Sequence, residues 1–271
     1  MKILLSHRHP LLYKFAVFCH RQKRKLHWMT DRKIYASTLE PEQNLEHNVK
    51  RHSSRLLKQL GGTEMWLQHN KVHNLKLCLP LMNGLIIRPG ETFSFCKLVG
   101  KPTKKRGFKK GMELTMGKAR PGVGGGICQL ANMLHWLVLH SPLTVTERST
   151  HSFDPFPDEK RSIPFGTGCA IFYNYVDFCF TNNTEYTFHL HLSIDENDLK
   201  GRLTSDEMIE HNYKIFEKNH RFVRKEGTIY RGNEIWRRVL TRVVGKHLYD
   251  EEVKKNHVRV LYEPEGEICE E

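Results

Sequence analysis

The sequence has no Cys-x-x-Cys pair among its seven cysteines. An odd number of scattered cysteines argues against a disulfide framework and a structural zinc site, and reduced cysteines suit the cytoplasm. The apolar stretch from Leu11 to Cys19 is interrupted by Lys14 and is far shorter than the roughly 20 residues of a membrane-spanning helix. Because no small-residue cleavage site follows the basic N-terminus, we expect a cytoplasmic protein or one peripheral to the inner membrane face.

Nucleotide-binding motifs are missing as well. The segment Gly122–Ile127 lacks the third glycine of a dinucleotide-binding loop, and no Gly-Lys-Ser or Gly-Lys-Thr follows it as in a P-loop. Internal repeats and low-complexity segments are absent from the sequence. We therefore expect neither a metal nor a cofactor.

Acidic residues are in the minority: 43 lysines and arginines against 30 aspartates and glutamates give a formal net charge of +13. This excess predicts anionic partners or surfaces and says nothing about the fold. Nine of the basic residues fall between Lys97 and Arg120, where only Glu113 opposes them. The segment either collects an anionic substrate by electrostatic focusing or is a solvated loop, and both interpretations stay open.

The residues assigned to this anionic-substrate patch are Lys104, Lys105, Arg106, Lys109, Lys110 and Arg120. A nucleic-acid partner is not expected. The segment has one aromatic residue, Phe108, whereas platforms for single-stranded nucleic acid interleave several aromatics with the charges.

A run of three glycines stands just before a helical pattern. Apolar residues recur from Leu130 to Val138 at the spacing of one helix face, and Ser141-Pro142 ends the pattern. Cys128 therefore lies where a glycine loop becomes a helix. The free N–H groups of a first helical turn favour a thiolate, the nucleophilic form of cysteine, and supply donors for an oxyanion. The competing interpretation is a small buried hydrophobe.

Other patterns predict the surrounding elements. Leucines between Leu45 and Leu60 are spaced for a helix that Gly61-Gly62 ends, and a second helix over Asn74–Asn83 should kink or end early at Pro80. Alternation at Phe93 and Phe95 indicates a strand.

The second half of the sequence has mainly strand patterns. Leu143–Thr146 reads as a strand, and Tyr175–Phe180 and Tyr186–Leu192 flank asparagines as in a β-hairpin. Alternation places His189 and His191 on the solvent face of the second hairpin strand rather than in a metal half-site.

Four ordered blocks resemble the motifs of the VanW family. They are Arg88–Phe95, Pro121–Gln129, Glu147–Ser152, and Val176–Phe178 leading to Asn182–Thr184. The resemblance covers roughly residues 70 to 200. It implies a connection with vancomycin-resistance clusters, and some proteins with this domain are regarded as cysteine L,D-transpeptidases that cross-link peptidoglycan.

The resemblance implies roles for particular residues. It assigns Cys128 as the nucleophile and His151 as its general base, which must lie within hydrogen-bond reach of the sulfur. His135 is excluded as the base, because it lies roughly 10 Å from Cys128 along the same helix at about 1.5 Å per residue. The sequence departs from the family pattern at two places. Ser149 stands where many members have histidine, and Cys169-Ala170-Ile171 stands where the family has Asp-Ala-Thr.

The remaining site residues fall into two groups. The loop and oxyanion residues are Gly124, Gly125, Gly126 and Gln129. The residues expected to orient the base or line the pocket are Glu91, Asn132, Glu147 and Asp177, and the sequence does not choose among the three carboxylates.

We therefore expect an α+β fold in three parts. Residues 1–69 form a basic N-terminal helical region, and residues 70–200 form a VanW-like domain with the loop-helix cysteine site on a largely antiparallel sheet. Residues 201–271 form a β-rich C-terminal extension. The N-terminal helix either packs with its basic end in solvent or lies on an anionic membrane surface.

Two functions of different classes remain open. The first is an L,D-transpeptidase-like acyl transferase in which Cys128 attacks a peptidoglycan precursor or stem peptide. The second is a non-catalytic accessory protein that binds a wall precursor or a resistance-cluster partner. A metal hydrolase that uses Cys128 and His151 is a weaker third interpretation.

Overall fold

The computed structural model describes residues 9–43, 45–58, 64–115, 118–157 and 163–270. The helices are α1 (Pro10–Thr30), α2 (Met65–Cys78), α3 (Phe95–Val99) and α4 (Cys128–Leu139). The strands of the first half are β1 (Ile34–Tyr35), β2 (His47–Arg55), β3 (Leu85–Ile87), β4 (Glu91–Ser94), β5 (Lys110–Thr115), β6 (Lys118–Val123) and β7 (Thr144–Glu147). Those of the second half are β8 (Phe153–Asp154), β9 (Cys179–Thr181), β10 (Phe188–Ile194), β11 (Asp198–Ser205), β12 (His211–Lys225), β13 (Thr228–Thr241), β14 (His247–Val260) and β15 (Ile268–Glu270). The α+β class is confirmed.

Within the described ranges, the strands form three sheets and one hairpin. One sheet has the order β1-β4-β9-β7, a second has the order β2-β11-β10-β3, and a third has the order β15-β12-β13-β14-β8, while β5 pairs with β6. Most neighbours are antiparallel, and the parallel pairs involve the short edge strands β1, β8 and β15. In the described ranges, no helix is both long and apolar enough to cross a bilayer.

The central helix forms where the glycine loop ends. α4 begins at Cys128, ends before Ser141-Pro142, and buries the predicted apolar face. Gly201 in β11 allows the close approach of this helix, because a Cβ there would lie 2.8 Å from the sulfur of Met133. The prediction for this segment is confirmed.

The helix predicted between Leu45 and Leu60 is wrong. Its residues form β2, which pairs antiparallel with β11, and they alternate between more and less exposed positions. The leucines lie at the two ends of the segment, so the middle is polar and its long-range pairing decides its conformation. Leu60 and Gly61-Gly62 lie outside the described residues.

The second predicted helix exists with different bounds. α2 starts at Met65, earlier than predicted, and ends at Cys78. Pro80 lies in the short 3-10 turn that follows. Phe95 does not continue the strand of Phe93, because Ser94 Oγ accepts the N–H of Lys97 and caps α3.

The predicted hairpin around Asn182 and Asn183 is also wrong. β9 and β10 lie in different sheets, since β9 pairs with β4 and β7 while β10 pairs with β3 and β11. The Asn182 side chain donates to the carbonyls of Ile87 and Tyr186 and accepts from Thr184. It therefore redirects the chain from one sheet to the other.

His189 is not on a solvent face. It is fully buried, and its ring packs edge-on against His191 with 4.1 Å between the ring centroids. β10 is an inner strand of its sheet, and the chain near Glu40 covers this face by bonding to Gly84. Burial lowers the pKa of His191 to about 4, so the pair is neutral and structural.

The C-terminal strands form a long antiparallel sheet with one strand from earlier in the chain. β8 pairs in parallel with β14 at the sheet edge. Beside this pair, Arg231 of β13 binds Asp154 of β8 at 3.1 Å, and both side chains are buried. The extension is thereby joined to the segment that carries His151.

Candidate functional site

A cavity of about 1170 Å³ contains the predicted nucleophile and base. It is bounded by the start of α4, the glycine loop, the end of β2 and the chain on both sides of β8. Cys128 and His151 both line it, as do Asn132 and all four predicted loop residues. The structure thus brings these seven residues to one space.

The other predicted residues lie elsewhere. Neither the six residues of the anionic-substrate patch nor Glu91, Glu147 and Asp177 line the cavity. Lys104, Lys105 and Arg106 form an exposed 3-10 turn, where the Arg106 guanidinium packs over the Phe108 ring. Other cations reach the cavity instead, namely Arg21, Arg55, Lys58, Lys71 and Lys101.

The glycine loop is held between two neighbouring elements. Asn74 of α2 donates to the carbonyl of Gly125 at 3.0 Å and also pairs with the backbone of Lys109. Gly125 crosses Gly111 so closely that a Cβ on Gly111 would lie 2.3 Å from the Gly125 oxygen. The third glycine, Gly126, has φ near +90°. These contacts require glycine at each point and fix the entry to α4.

Cys128 is the first residue of α4 and is half-buried. Burial raises the pKa of its thiol, a backbone hydrogen bond from Ile171 opposes the shift, and the Glu113 carboxylate adds to it. The backbone N–H at the helix start lowers the pKa, as expected, but burial outweighs it and the net shift is upward. The resting form of Cys128 is therefore the thiol.

Most backbone N–H groups of the glycine loop already donate to backbone carbonyls. Gly124 donates to Lys109, Gly125 donates to Gly122, and Gln129 donates to Gly126. Among the described residues, the Gly126 N–H has no backbone acceptor. Within the predicted set, Gly126 is thus the member best suited to bind an oxyanion.

The Gln129 side chain has a structural task. Its amide donates to the Ser54 side chain and to the Arg55 carbonyl, which fastens the end of β2 to α4. The Asn132 side chain accepts the N–H of Cys169 at 2.6 Å and fixes the opposite wall of the cavity.

His151 is half-buried, and burial lowers the pKa of its imidazole. A neutral imidazole at neutral pH is able to accept a proton. In the described part of the chain, no hydrogen bond joins the ring to Cys128. The two side chains line the same cavity.

The three candidate orienting carboxylates bind other groups. Glu91 accepts the N–H of Arg88, and Glu147 forms a two-pronged ion pair with Arg24 of α1. Asp177 is fully buried and accepts hydrogen bonds from Ser94, Cys96, Phe178 and Cys179. None of the three carboxylates binds His151 here, and each stabilises a junction of the fold.

Sequence reasoning missed the polar side of α2. Gln68, Lys71 and Asn74 are spaced three apart, so they share a helix face, and all three are buried toward the glycine loop and the cavity. This spacing was the available signal. It does not stand out in sequence because Lys71 is one of 43 basic residues.

Arg148 and Glu113 were also missed. Arg148 donates to the carbonyls of Gly166 and Gly168, so it holds the wall beside Cys169. Glu113 enters the cavity opposite Gly122, where a Cβ would overlap its carboxyl group.

Glu113→Gln is expected to move the alkylation profile of Cys128 to lower pH. The Glu113 carboxylate raises the pKa of the thiol, so removing its charge lowers that pKa. The rate of iodoacetamide alkylation is measured against pH in a Cys19→Ser/Cys269→Ser background, which lacks the two exposed cysteines. Glu91→Gln, outside the cavity, is the control. An unmoved profile in Glu113→Gln contradicts the expectation.

Comparison with known proteins identifies similar sequences. A family model described as "VanW like protein" matches residues 70–204. The vancomycin B-type resistance protein VanW of Enterococcus faecalis is 35% identical over 196 residues, which are 72% of this chain and 71% of that protein. The uncharacterized protein YoaR of Bacillus subtilis is 31% identical over 116 residues, 42% of this chain and 36% of that protein. No solved structure matches the chain.

Proposed function

This chain belongs to the VanW family, and from that premise we propose that it acts in peptidoglycan metabolism linked to vancomycin resistance, as a cysteine acyl transferase. The main observation in support of this proposal is that Cys128, at the first turn of α4, lines the same cavity as His151. The cavity is large enough for a peptide segment, since ligand sites commonly measure about 300–1,000 Å³.

The first step is attack of the Cys128 sulfur on a peptide carbonyl of a wall precursor. His151 takes the thiol proton, a C–S bond forms, and the C–N bond breaks as the proton passes to the leaving amine. The product is a thioester. Because burial raises the pKa of the thiol and lowers that of the imidazole, the resting pair is thiol and neutral base, as this transfer requires.

The second step returns the enzyme to its starting state. An acceptor amine attacks the thioester, the new C–N bond replaces the C–S bond, and the amine proton passes through His151 to the sulfur. Water in place of the amine gives hydrolysis. The N–H groups of Gly126 and Cys128 bind the oxyanion of both tetrahedral intermediates. His151 closes on Cys128 when substrate is bound, since apo distances are often long.

Covalent labelling tests this function. The intact mass of the protein is measured after incubation with a β-lactam or another electrophilic acyl probe. We expect one adduct on the wild type and none on Cys128→Ala, with labelling slowed about 100-fold or more in His151→Gln. Cys19→Ala, at an exposed cysteine, is the matched control and keeps the adduct. Equal labelling of the wild type and Cys128→Ala would defeat the proposal.

The alternative is an accessory protein that holds a wall precursor in the same cavity without reacting. The raised pKa of the Cys128 thiol, and the lack of a hydrogen bond between its sulfur and His151 in the described part of the chain, favour it. It predicts ordinary thiol reactivity and precursor binding that survives Cys128→Ser. Loss of binding in a folded Cys128→Ser protein counts against this alternative.

A further inference from the structure

A buried lysine lies beside the glycine loop. Lys71 is 7% exposed and lines the cavity. Its ammonium donates to the Gln68 side chain at 2.6 Å, and among the described residues no carboxylate pairs with it. Burial, together with the charge of Lys58, lowers the pKa of Lys71 to about 8. An ammonium has three donors, so donors remain after the bond to Gln68.

Two neighbouring residues, Gly126 and Gln68, pack closely against the Lys71 side chain. Gly126 packs on its methylenes so tightly that a Cβ would lie 2.2 Å from the Lys71 Cγ. Gln68 is 1% exposed, and its amide nitrogen is buried without a hydrogen-bond partner. A buried donor with no acceptor costs stability, so this amide nitrogen, beside a buried cation, is suited to donate to an acceptor that enters the cavity.

We propose that Lys71 binds a carboxylate of the acyl donor inside the cavity, with Gln68 as the residue that positions its ammonium. The donor would be a peptide with a free carboxylate close to the bond that Cys128 attacks, since only Ile127 separates Gly126, which touches Lys71, from the cysteine. The inference rests on the proposed function in naming that peptide as the acyl donor.

Binding without turnover tests the subsite. In a Cys128→Ala background, NMR titration compares N-acetyl-L-alanyl-D-alanine with its C-terminal amide. We expect the free acid to bind about tenfold or more tightly than the amide, because a charge-assisted hydrogen bond is lost in the amide. Lys71→Met keeps the methylenes that contact Gly126 and should abolish this preference.

Lys101→Met is the matched control, since Lys101 is an exposed lysine that also lines the cavity, and it should keep the preference. Equal affinity for acid and amide, binding of neither, or a preference retained in folded Lys71→Met overturns the subsite. The acyl-probe experiment fails or succeeds separately, because these titrations need no nucleophile.

A second, independent feature is helix α1, which packs its polar face against the protein and exposes its apolar face. Its inner face is polar: Arg24 binds Glu147, and Arg21 donates to the carbonyl of Tyr173. Its large apolar side chains point outward instead. They are Leu11, Leu12, Phe15, Phe18, Leu26 and Met29, each between 49% and 81% exposed. Residues 11, 15, 18 and 29 share one stripe at the helical period of 3.6 residues.

The charge of α1 complements one kind of surface. The helix has no acidic residue, and exposed Lys14, Lys23 and Lys25 stand beside or between the apolar residues. An amphipathic helix with a basic margin inserts its apolar face among lipid chains while its lysines meet anionic headgroups. We infer that α1 lies on an anionic bilayer surface through this stripe.

Vesicle sedimentation tests the surface with the full chain. Wild type should sediment with an equal mixture of phosphatidylglycerol and phosphatidylcholine and about tenfold less with phosphatidylcholine alone. Phe15→Ser/Phe18→Ser should reduce binding about tenfold or more, whereas Val243→Ser/Val244→Ser, at two other highly exposed residues, should not.

Three results overturn the inference. These are equal binding to both vesicle types, unchanged binding of the phenylalanine variant, and self-association through α1 without vesicle binding. The last result would identify a second copy of the chain as the occupant.

Discussion

Gly126→Ala is expected to lower the free energy of unfolding by roughly 3–5 kcal/mol. Two effects add. With φ near +90°, Gly126 has a backbone conformation that residues with a Cβ adopt only under strain. The new methyl group would also overlap the Lys71 methylenes, whose Cγ would be 2.2 Å away. Urea unfolding followed by circular dichroism measures the change.

Gly245→Ala is the matched control for this prediction. Gly245 also has positive φ, but a Cβ there meets nothing within 4 Å. Its substitution should cost only about 1–2 kcal/mol, the price of the backbone conformation alone. The difference between the two variants isolates the contact with Lys71. Equal losses in the two variants would show that the loop moves away from α2 without cost.

Arg231→Met is expected to destabilise the protein by about 3–5 kcal/mol, because it removes a buried cation that binds the Asp154 carboxylate at 3.1 Å. Arg231 and Asp154 are 3% and 4% exposed. Tyr262 also donates to Asp154, but a neutral hydroxyl does not replace a guanidinium. Urea unfolding is again the measurement.

Two further variants sharpen this result. Arg238→Met, on the same strand, removes an ion pair with Asp250 in which Arg238 is 44% exposed, and it should cost less than about 1 kcal/mol. Arg231→Met/Asp154→Leu removes both buried charges and should recover much of the loss. A double variant as unstable as Arg231→Met would mean that lost packing, rather than the broken ion pair, causes the loss.

The sequence predicted those parts of the site that depend on local pattern. The helix after Ser94 was missed, but α4, its start at Cys128 and its end before Pro142 follow from periodicity and from glycine and proline chemistry. The end of α2 before Pro80 follows in the same way. The catalytic roles of Cys128 and His151 stay a prediction.

The failures have a common physical cause. β2 is a polar segment whose pairing with β11 joins residues about 150 positions apart. The pKa of Cys128 depends on burial by chain that is distant in sequence, and its rise was therefore missed. Lys71 gave only a weak local signal, its three-residue spacing from Gln68 and Asn74. A lysine on a helix is usually solvated, and only the assembled cavity shows this one to be buried.

β8 consists of two residues, and it follows His151 after a single serine. This strand pairs with β14 and is held in place by the ion pair between Arg231 and Asp154. The position of the His151 imidazole therefore depends on the C-terminal sheet, whereas the position of the Cys128 sulfur depends on α4. Under the proposed function, a partner that tilts that sheet would change the distance between the His151 base and the Cys128 nucleophile without contacting either residue.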